Sequence, residues 1–217
     1  SSASLTSDEK TLYFTSERPG GYGGRDLYKA ELKTNGDWGN VQNLGPKINT
    51  RYDEDAPFIH PDGRTLYFSS KGHNSIGGYD IFYTYLDDEV WDSASNVGFP
   101  VNTIEDDRYY VLTADGSKGY YSSAGKEDSY GGNDIYVVSP GHFGSRPILA
   151  LIVGVTRKDG KETMADIIAT DANTGEFANS TVSDDNSGQF MISLIPGKKY
   201  KIAIEIKGAK TTYEYID

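Results

Sequence analysis

A repeat of 54 residues runs through the first two thirds of the chain and limits what it can fold into. The segment Gly23-Gly24-Arg25-Asp26-Leu27-Tyr28 recurs as Gly77-Gly78-Tyr79-Asp80-Ile81-Phe82 and again as Gly131-Gly132-Asn133-Asp134-Ile135-Tyr136. The spacing is 54 residues both times. A fixed period of this length indicates a repeated supersecondary unit whose neighbours stack on one another. We call the three copies repeat 1, repeat 2 and repeat 3.

A second block within each repeat predicts β-strands. Thr11–Ser16 matches Thr65–Ser70 at the same spacing, and Lys118–Ser123 follows one residue early. Turn residues precede each block, and short runs of Tyr, Phe, Leu and Ile between turns are typical of β-hairpins. Repeat 2 is predicted to hold four strands: Ala56–His60, Thr65–Ser70, Asp80–Leu86 and Val90–Val97. A four-stranded unit repeating every ~40–55 residues is typical of a β-propeller blade.

The repeated residues have a structural interpretation and a functional alternative. The Gly-Gly pair is expected to supply positive φ angles where the chain turns back toward the sheet. Asp26, Asp80 and Asp134 each begin a strand, and their carboxylates can accept backbone N–H bonds from the preceding loop. The alternative is that each Asp binds a metal or a substrate. The aromatic pairs are expected to pack between neighbouring repeats: Tyr13-Phe14, Tyr67-Phe68 and Tyr120-Tyr121.

These motifs resemble a known family of repeats. Asp62-Gly63-Arg64-Thr65-Leu66-Tyr67-Phe68-Ser69-Ser70, followed by Gly77–Phe82, is similar to the WD-repeat-like propeller repeat of TolB-type proteins. Repeat 3 departs from that pattern at Gly119 and Tyr121. The resemblance covers residues 1–138 and implies a propeller that acts as a binding or scaffold surface.

The repeats predict an incomplete ring. Three units are too few to close a propeller, which needs at least about four blades. Repeats 1 and 2 have Trp38 and Trp91 after the third strand, whereas repeat 3 continues into Ser139-Pro140-Gly141 and lacks a fourth strand. We therefore interpret the sequence as the C-terminal part of a longer propeller protein.

The tail is predicted to be a second domain. Residues 139–147 are interpreted as a linker, and residues 148–217 hold only three of the 17 Tyr. Alternating or apolar runs, separated by turns, indicate a small all-β sandwich. The runs are Ile148–Val155, Ala165–Thr170, Gln189–Ile195 and Tyr200–Ile206. The fold class is thus all-β: a partial β-propeller of three blade repeats, then a sandwich.

The tail also resembles a known family. The segments Asp171–Glu176, Ser183–Phe190 and Leu194–Tyr200 are similar to the carboxypeptidase regulatory-like domain, a non-catalytic, transthyretin-like β-sandwich. The order of propeller repeats and then this sandwich resembles Bacteroidetes envelope proteins that end in an OmpA-like peptidoglycan-binding domain, some of them in the type nine secretion and gliding machinery. The resemblance implies a periplasmic, outer-membrane-associated protein with envelope protein partners. It implies contact with peptidoglycan only through a domain outside this chain.

Composition excludes several kinds of chemistry. The net charge of −11 argues against nucleic acid as a partner, because phosphate neutralisation needs clustered Lys and Arg. The absence of Cys excludes disulfides, thiolate metal sites and a Cys nucleophile. No apolar run approaches the 18 or so residues of a membrane-spanning helix. The three His, at positions 60, 73 and 142, have no partner at metal-binding spacing, and no cofactor is expected.

Two acidic clusters and one row of Tyr residues are the candidate sites. The first cluster is Asp53-Glu54-Asp55 and the second is Glu105-Asp106-Asp107. They are interpreted as solvated loops entering the innermost strands, with a bound cation or a hydrolytic carboxylate pair as alternatives. The loops Glu17–Arg25, Lys71–Tyr79 and Ala124–Asn133 carry Tyr22, Tyr79 and Tyr130.

These three Tyr residues are candidates for a protein interface, the alternative being that they pack over their own Gly-Gly turns. The sequence thus favours a non-enzymatic envelope scaffold. The other hypothesis is a propeller hydrolase or lectin acting on carbohydrate or peptide.

Overall fold

The protein is all-β in the part of the chain that its structure describes. A computed structural model describes residues 2–124, 129–141, 143–144, 150–195 and 197–216, where all regular secondary structure is β-strand. The all-β prediction is confirmed for these residues, and none of them forms a helix that could cross a bilayer. Contacts within the chain define two compact modules, Ser1–Ser145 and Arg146–Asp217. We call them the N-terminal and C-terminal modules.

Each repeat of the N-terminal module forms one antiparallel sheet. Repeat 1 has β1 (Ala3–Leu5), β2 (Thr11–Ser16), β3 (Asp26–Leu32) and β4 (Trp38–Asn43). Repeat 2 has β5 (Glu54–Ile59), β6 (Thr65–Ser70), β7 (Asp80–Asp87), β8 (Val90–Trp91) and β9 (Ser95–Asn96). Repeat 3 has β10 (Arg108–Leu112), β11 (Gly119–Ala124) and β12 (Asn133–Val138). The strands follow chain order in all three sheets, except that β8 and β9 both pair with β7. The predicted strand Val90–Val97 is therefore two short strands.

The repeats pack face to face, and the two faces of the repeat 2 sheet lie in different cores. Leu66, Phe68 and Phe82 pack with Tyr13 and Leu27 of repeat 1. On the opposite face, Tyr67 and Ile81 pack with a cluster from repeat 3: Tyr110, Leu112 and Tyr121. Because neighbours cover both faces, every residue of β6 is buried. The three sheets do not close into a ring among the described residues.

The segment that leaves repeat 3 is fastened to the N-terminal module. Phe143 packs against Tyr83 and Tyr110, and its carbonyl accepts a 2.9 Å hydrogen bond from Tyr85. This part of the predicted linker 139–147 is therefore packed. Residues 142 and 145–149, including His142, lie outside the described residues.

The described part of the C-terminal module has three sheets, and the two larger cover one core, while the third is a short hairpin. The strands are β13 (Ala150–Val155), β14 (Arg157–Lys158), β15 (Lys161–Glu162), β16 (Asp166–Asp171), β17 (Phe177–Val182), β18 (Gln189–Leu194), β19 (Tyr200–Glu205) and β20 (Thr212–Ile216). One of the two larger sheets pairs β13 with β18, and the other has the order β17-β16-β19-β20. Ile192 and Leu194 of the first sheet pack with Ile167, Ala169 and Ile202 of the second.

Candidate interaction surface

The repeated aspartates hold the loops that precede their strands. In each repeat, the carboxylate accepts a hydrogen bond from the backbone N–H four residues upstream. The distances are 2.7 Å from Tyr22 to Asp26, 2.6 Å from Ile76 to Asp80 and 2.8 Å from Tyr130 to Asp134. One short side chain thus fixes the backbone at the same loop position three times.

The side chains at these fixed positions form an exposed apolar row. Tyr22, Ile76 and Tyr130 are 52%, 51% and 99% exposed. We call them the rim row. Ile76 was not predicted, although counting four residues back from each Asp would have identified it. Tyr79, which was predicted in its place, is only 2% exposed. The prediction that Tyr79 is part of an accessible interface is therefore wrong.

Tyr79 instead lies at the junction between repeats 2 and 3. The guanidinium of Arg108 stacks 3.5 Å above its ring centroid, and the Lys71 ammonium lies 4.6 Å from the same centroid. At the junction between repeats 1 and 2, the corresponding contact is an ion pair of 2.8 Å between Arg25 and Asp55. A cation therefore contributes to both junctions, once through a carboxylate and once through an aromatic ring.

Close approach requires the Gly-Gly pairs of repeats 1 and 2, and the prediction of positive φ angles is wrong. None of Gly23, Gly24, Gly77 or Gly78 has positive φ. A Cβ on Gly24 would lie 2.5 Å from Oδ1 of Asp53, and one on Gly77 would overlap the backbone of Ile104. The acidic loop of the next repeat therefore lies directly against each pair.

Three of the six residues in the two acidic clusters are buried, so the prediction of solvated loops is wrong for Glu54, Asp55 and Asp107. Glu54 accepts hydrogen bonds from the Thr50 backbone at 2.9 Å, from the Thr50 hydroxyl at 2.7 Å and from Ser70 at 2.8 Å. Asp107 accepts two equivalent bonds from Thr103. These carboxylates hold the turn that enters the first strand of their own repeat. Asp53 and Asp106 accept backbone bonds from the preceding repeat, and Glu105 is exposed.

Burial and hydrogen bonding shift the pKa values of these groups in opposite directions. Burial raises the pKa of Glu54, outweighing its hydrogen bonds, and burial likewise raises the pKa of Asp80. Burial also acts upward on Asp55, but hydrogen bonds from Ser2, the Ala56 backbone and Arg25 outweigh it, so the pKa of Asp55 is lowered. The two neighbouring carboxylates Glu54 and Asp55 therefore differ in how readily they ionise.

The described residues contain no group of three His, Asp or Glu side chains placed to hold a metal ion. Asp80 and Asp107 each have one buried carboxylate oxygen without a hydrogen-bond partner, but both residues are otherwise bound to the protein itself. Hence the structure gives no cation site at the predicted clusters within the described ranges.

The C-terminal module also has a shallow groove of about 1080 Å³. It runs between β17 and the β13–β18 sheet and includes Ser183 and Asp184. The Ser183 hydroxyl bonds Thr156 and the Ala165 backbone, while the Asp184 carboxylate accepts three bonds from its own turn. No hydrogen bond joins Ser183 to Asp184, so these two side chains do not form a nucleophile–base pair in the groove.

No protein-family model and no curated protein matches the chain. The solved structures that share distant similarity include the following two. One is TolB from Acinetobacter baumannii, at 15% identity and a TM-score of 0.45 over 90% of this chain and 43% of that one. The other is a puromycin hydrolase S511A mutant complexed with PGG, at 13% identity and a TM-score of 0.30 over 76% and 33% of the two chains. The chain spans less than half the length of either structure, and similarity at this level assigns no function.

Proposed function

We propose that the chain is a non-catalytic scaffold whose N-terminal module binds a protein partner through the rim row. The observation that carries this proposal is the exposure of Tyr22, Ile76 and Tyr130 at backbone positions fixed by Asp26, Asp80 and Asp134. Exposed Tyr and Ile side chains offer apolar contact area, and a backbone that is already held in place loses little entropy on binding.

Charge beside the rim row would select among partners. Asp53 and Asp106 lie next to the Gly-Gly pairs, and their side chains are 37% and 46% exposed. With a net charge of −11 on the chain, a partner with basic residues around an apolar patch fits this surface best.

We further propose that the protein works in the bacterial envelope. The family resemblances of the repeats and of the tail support a periplasmic, outer-membrane-associated location with envelope proteins as partners. The resemblance of the tail also supports a carboxypeptidase regulatory-like domain, with a transthyretin-like sandwich fold, as the C-terminal module. Attachment to peptidoglycan would come from a domain outside this chain.

Site-specific photo-crosslinking in the producing cells tests this function. A photoreactive phenylalanine analogue is placed singly at positions 22, 76 and 130, and at Phe177 and Tyr215 of the C-terminal module as exposed controls. We expect the three rim positions to give the same crosslinked protein in the envelope fraction, and the controls to give none of it. Crosslinks that are absent, or shared equally with the controls, would contradict the proposal.

A further inference from the structure

The segments that join the repeats share a pattern of twelve residues. We call residues 43–54 connector 1 and residues 96–107 connector 2. Both read Asn, an apolar residue, Gly, two variable residues, an apolar residue, Asn-Thr, two variable residues, Asp and a second acidic residue. Each connector begins at the end of the last strand of one repeat, β4 or β9, and ends where the next repeat begins.

Connector 1 binds repeat 1 through three side chains. Asn43 donates a 2.7 Å hydrogen bond to Asp26. Asn49 binds both backbone groups of Leu27, at 2.8 Å to the N–H and 2.9 Å to the carbonyl. Asp53 accepts a 3.1 Å bond from the Arg25 backbone.

Connector 2 makes the same contacts with repeat 2. Asn96 donates to Asp80 at 3.0 Å, and Asn102 binds the N–H and the carbonyl of Ile81, both at 2.8 Å. Asp106 accepts a 2.9 Å bond from the Tyr79 backbone. Two independent sequences thus recognise the same receptor features, namely the Gly-Gly-x-Asp turn and the first apolar residue of the third strand.

Repeat 3 has these receptor features, but no connector covers them among the described residues. Nothing lies within 4 Å of a Cβ placed on Gly131 or Gly132. Ile135 is 81% exposed, whereas its counterparts Leu27 and Ile81 are fully buried. In the part of the chain that the structure describes, β12 is also a sheet edge, where repeats 1 and 2 have a further strand.

We propose that repeat 3 carries an acceptor site for a connector supplied by another β-repeat. The occupant is a strand that pairs with β12 and continues into the sequence Asn-apolar-Gly-x-x-apolar-Asn-Thr-x-x-Asp-acidic. Its two Asn would bind Asp134 and the backbone of Ile135, and its Asp would bind the backbone of Asn133. Both connectors of this chain are already engaged, so a second copy cannot supply one without opening its own repeats. This mode of binding is β-strand addition with side-chain specificity.

Disulfide trapping tests the site, because the chain has no cysteine of its own. The probe is a synthetic peptide of residues 38–56, which holds β4 and connector 1, with Asp53→Cys. In the intact protein Asp53 lies against Gly24, and Gly132 is the equivalent of Gly24 in repeat 3. The peptide is therefore mixed with a chain that carries Gly132→Cys, so that the two cysteines meet if the peptide binds as proposed. The control chain carries Ser180→Cys at an exposed position of β17.

With the same concentration of oxidised glutathione as the oxidant, we expect the Gly132→Cys chain to form the disulfide with the peptide at least tenfold faster than the control chain. The peptide with Asn49→Ala should lose this advantage. Equal rates for the two chains, or no effect of Asn49→Ala, would overturn the proposal.

Hydrogen exchange on the wild-type chain locates the bound peptide. Protection confined to residues 129–138 supports the proposal. Protection in repeat 1 instead would mean that the peptide displaces connector 1 and would contradict it. Self-association of the chain without peptide, abolished by Gly132→Val, would make a second copy the occupant and would also overturn the proposal. None of these outcomes depends on a partner binding the rim row. The acceptor site can therefore fail its test while the crosslinking experiment succeeds, and the reverse.

Discussion

The backbone N–H of Tyr79 donates a 2.9 Å hydrogen bond to Oδ1 of Asp106, which belongs to the next repeat. Arg25 and Asp53 make the same bond at 3.1 Å one repeat earlier. Return bonds run from the Glu54 N–H to the Arg25 carbonyl and from the Asp107 N–H to the Tyr79 carbonyl. Each junction therefore uses the backbone N–H and carbonyl of residue 25 or 79. The side chain at that position can differ, and it is Arg in repeat 1 and Tyr in repeat 2.

The contrast between the Gly-Gly pairs gives a prediction with an internal control. Gly77→Ala should destabilise the N-terminal module by about 1–3 kcal/mol, because its Cβ would overlap the Ile104 backbone. Gly131→Ala, at the equivalent position of repeat 3, should change stability by no more than about 0.5 kcal/mol, because its Cβ would meet nothing. Urea unfolding of both variants measures the difference. Equal losses would show that the pairs are needed for their backbone conformation instead.

The connector asparagines are predicted to be essential for stability. Asn102→Ala leaves the buried N–H of Ile81 without its partner, whereas the Ile81 carbonyl keeps a 3.2 Å bond from the Val97 N–H. We expect a loss of about 1–3 kcal/mol in urea unfolding, which is the cost of one unpaired buried group. The exposed Asn74→Ala in the same repeat should stay within about 0.5 kcal/mol of wild type. A neutral Asn102→Ala would show that water replaces the side chain.

Glu54 should make the N-terminal module less stable as pH rises. Its folded pKa is raised above the ordinary value of 4.5, so the folded state holds the proton more tightly than the unfolded chain. Stability is then lost as pH rises from about 4.5 through the folded pKa. Glu54→Gln should remove this part of the pH dependence, since the Thr50 and Ser70 hydroxyls can turn to accept from the amide. Urea midpoints measured between pH 4 and pH 8 should show a flatter profile for the variant.

Asp55 should show the opposite dependence. Its folded pKa lies below the ordinary 3.8, so its contribution is present above that pH and is lost as pH falls through the folded pKa. Asp55→Asn should therefore be less stable than wild type at pH 7, and the gap should narrow below about pH 3.8. A gap that is the same at pH 3 and pH 7 would show that the ion pair with Arg25 contributes nothing.

The stacking of Arg108 on Tyr79 can be measured by a double-mutant cycle. Tyr79→Leu, Arg108→Met and the double variant should give a coupling free energy of about 0.5–2 kcal/mol, because the pair is largely desolvated at the junction between repeats. Thermal or urea unfolding gives the change in unfolding free energy of each of the three variants relative to wild type. Simple additivity of the single variants would mean that the contact only fills space.

The sequence predicts those features of this protein that depend on local pattern. Periodicity locates Thr65–Ser70 as a strand at its observed bounds, and places the start of another at Asp80. Asp26 and Asp134 accept hydrogen bonds from N–H groups four residues upstream, and an Asp at the end of a loop predicts such short-range bonds. The repeated Asn-Thr pairs at positions 49 and 102 are visible in the sequence as well.

What the sequence could not predict depends on contacts between repeats. Position 77 requires a glycine because the Ile104 backbone, 27 residues later in the chain, lies against it. No local sequence rule predicts that contact. Tyr79 is expected on the surface because it lies in the loop Lys71–Tyr79, but the guanidinium of Arg108 from the next repeat covers its ring. Burial of Glu54 likewise depends on Ser70, which the hairpin brings back beside it.

The fastening of the segment after β12 determines how the N-terminal module would carry a mechanical load. Tyr85 and Tyr67 of repeat 2 bind the backbone of Phe143, and Tyr110 binds the carbonyl of Gly141. A pulling force that enters the module at Gly144 therefore reaches two sheets before it reaches the end of β12. The side-chain bonds to Phe143 and Gly141 would therefore have to break before the force acts on the backbone bonds of β12.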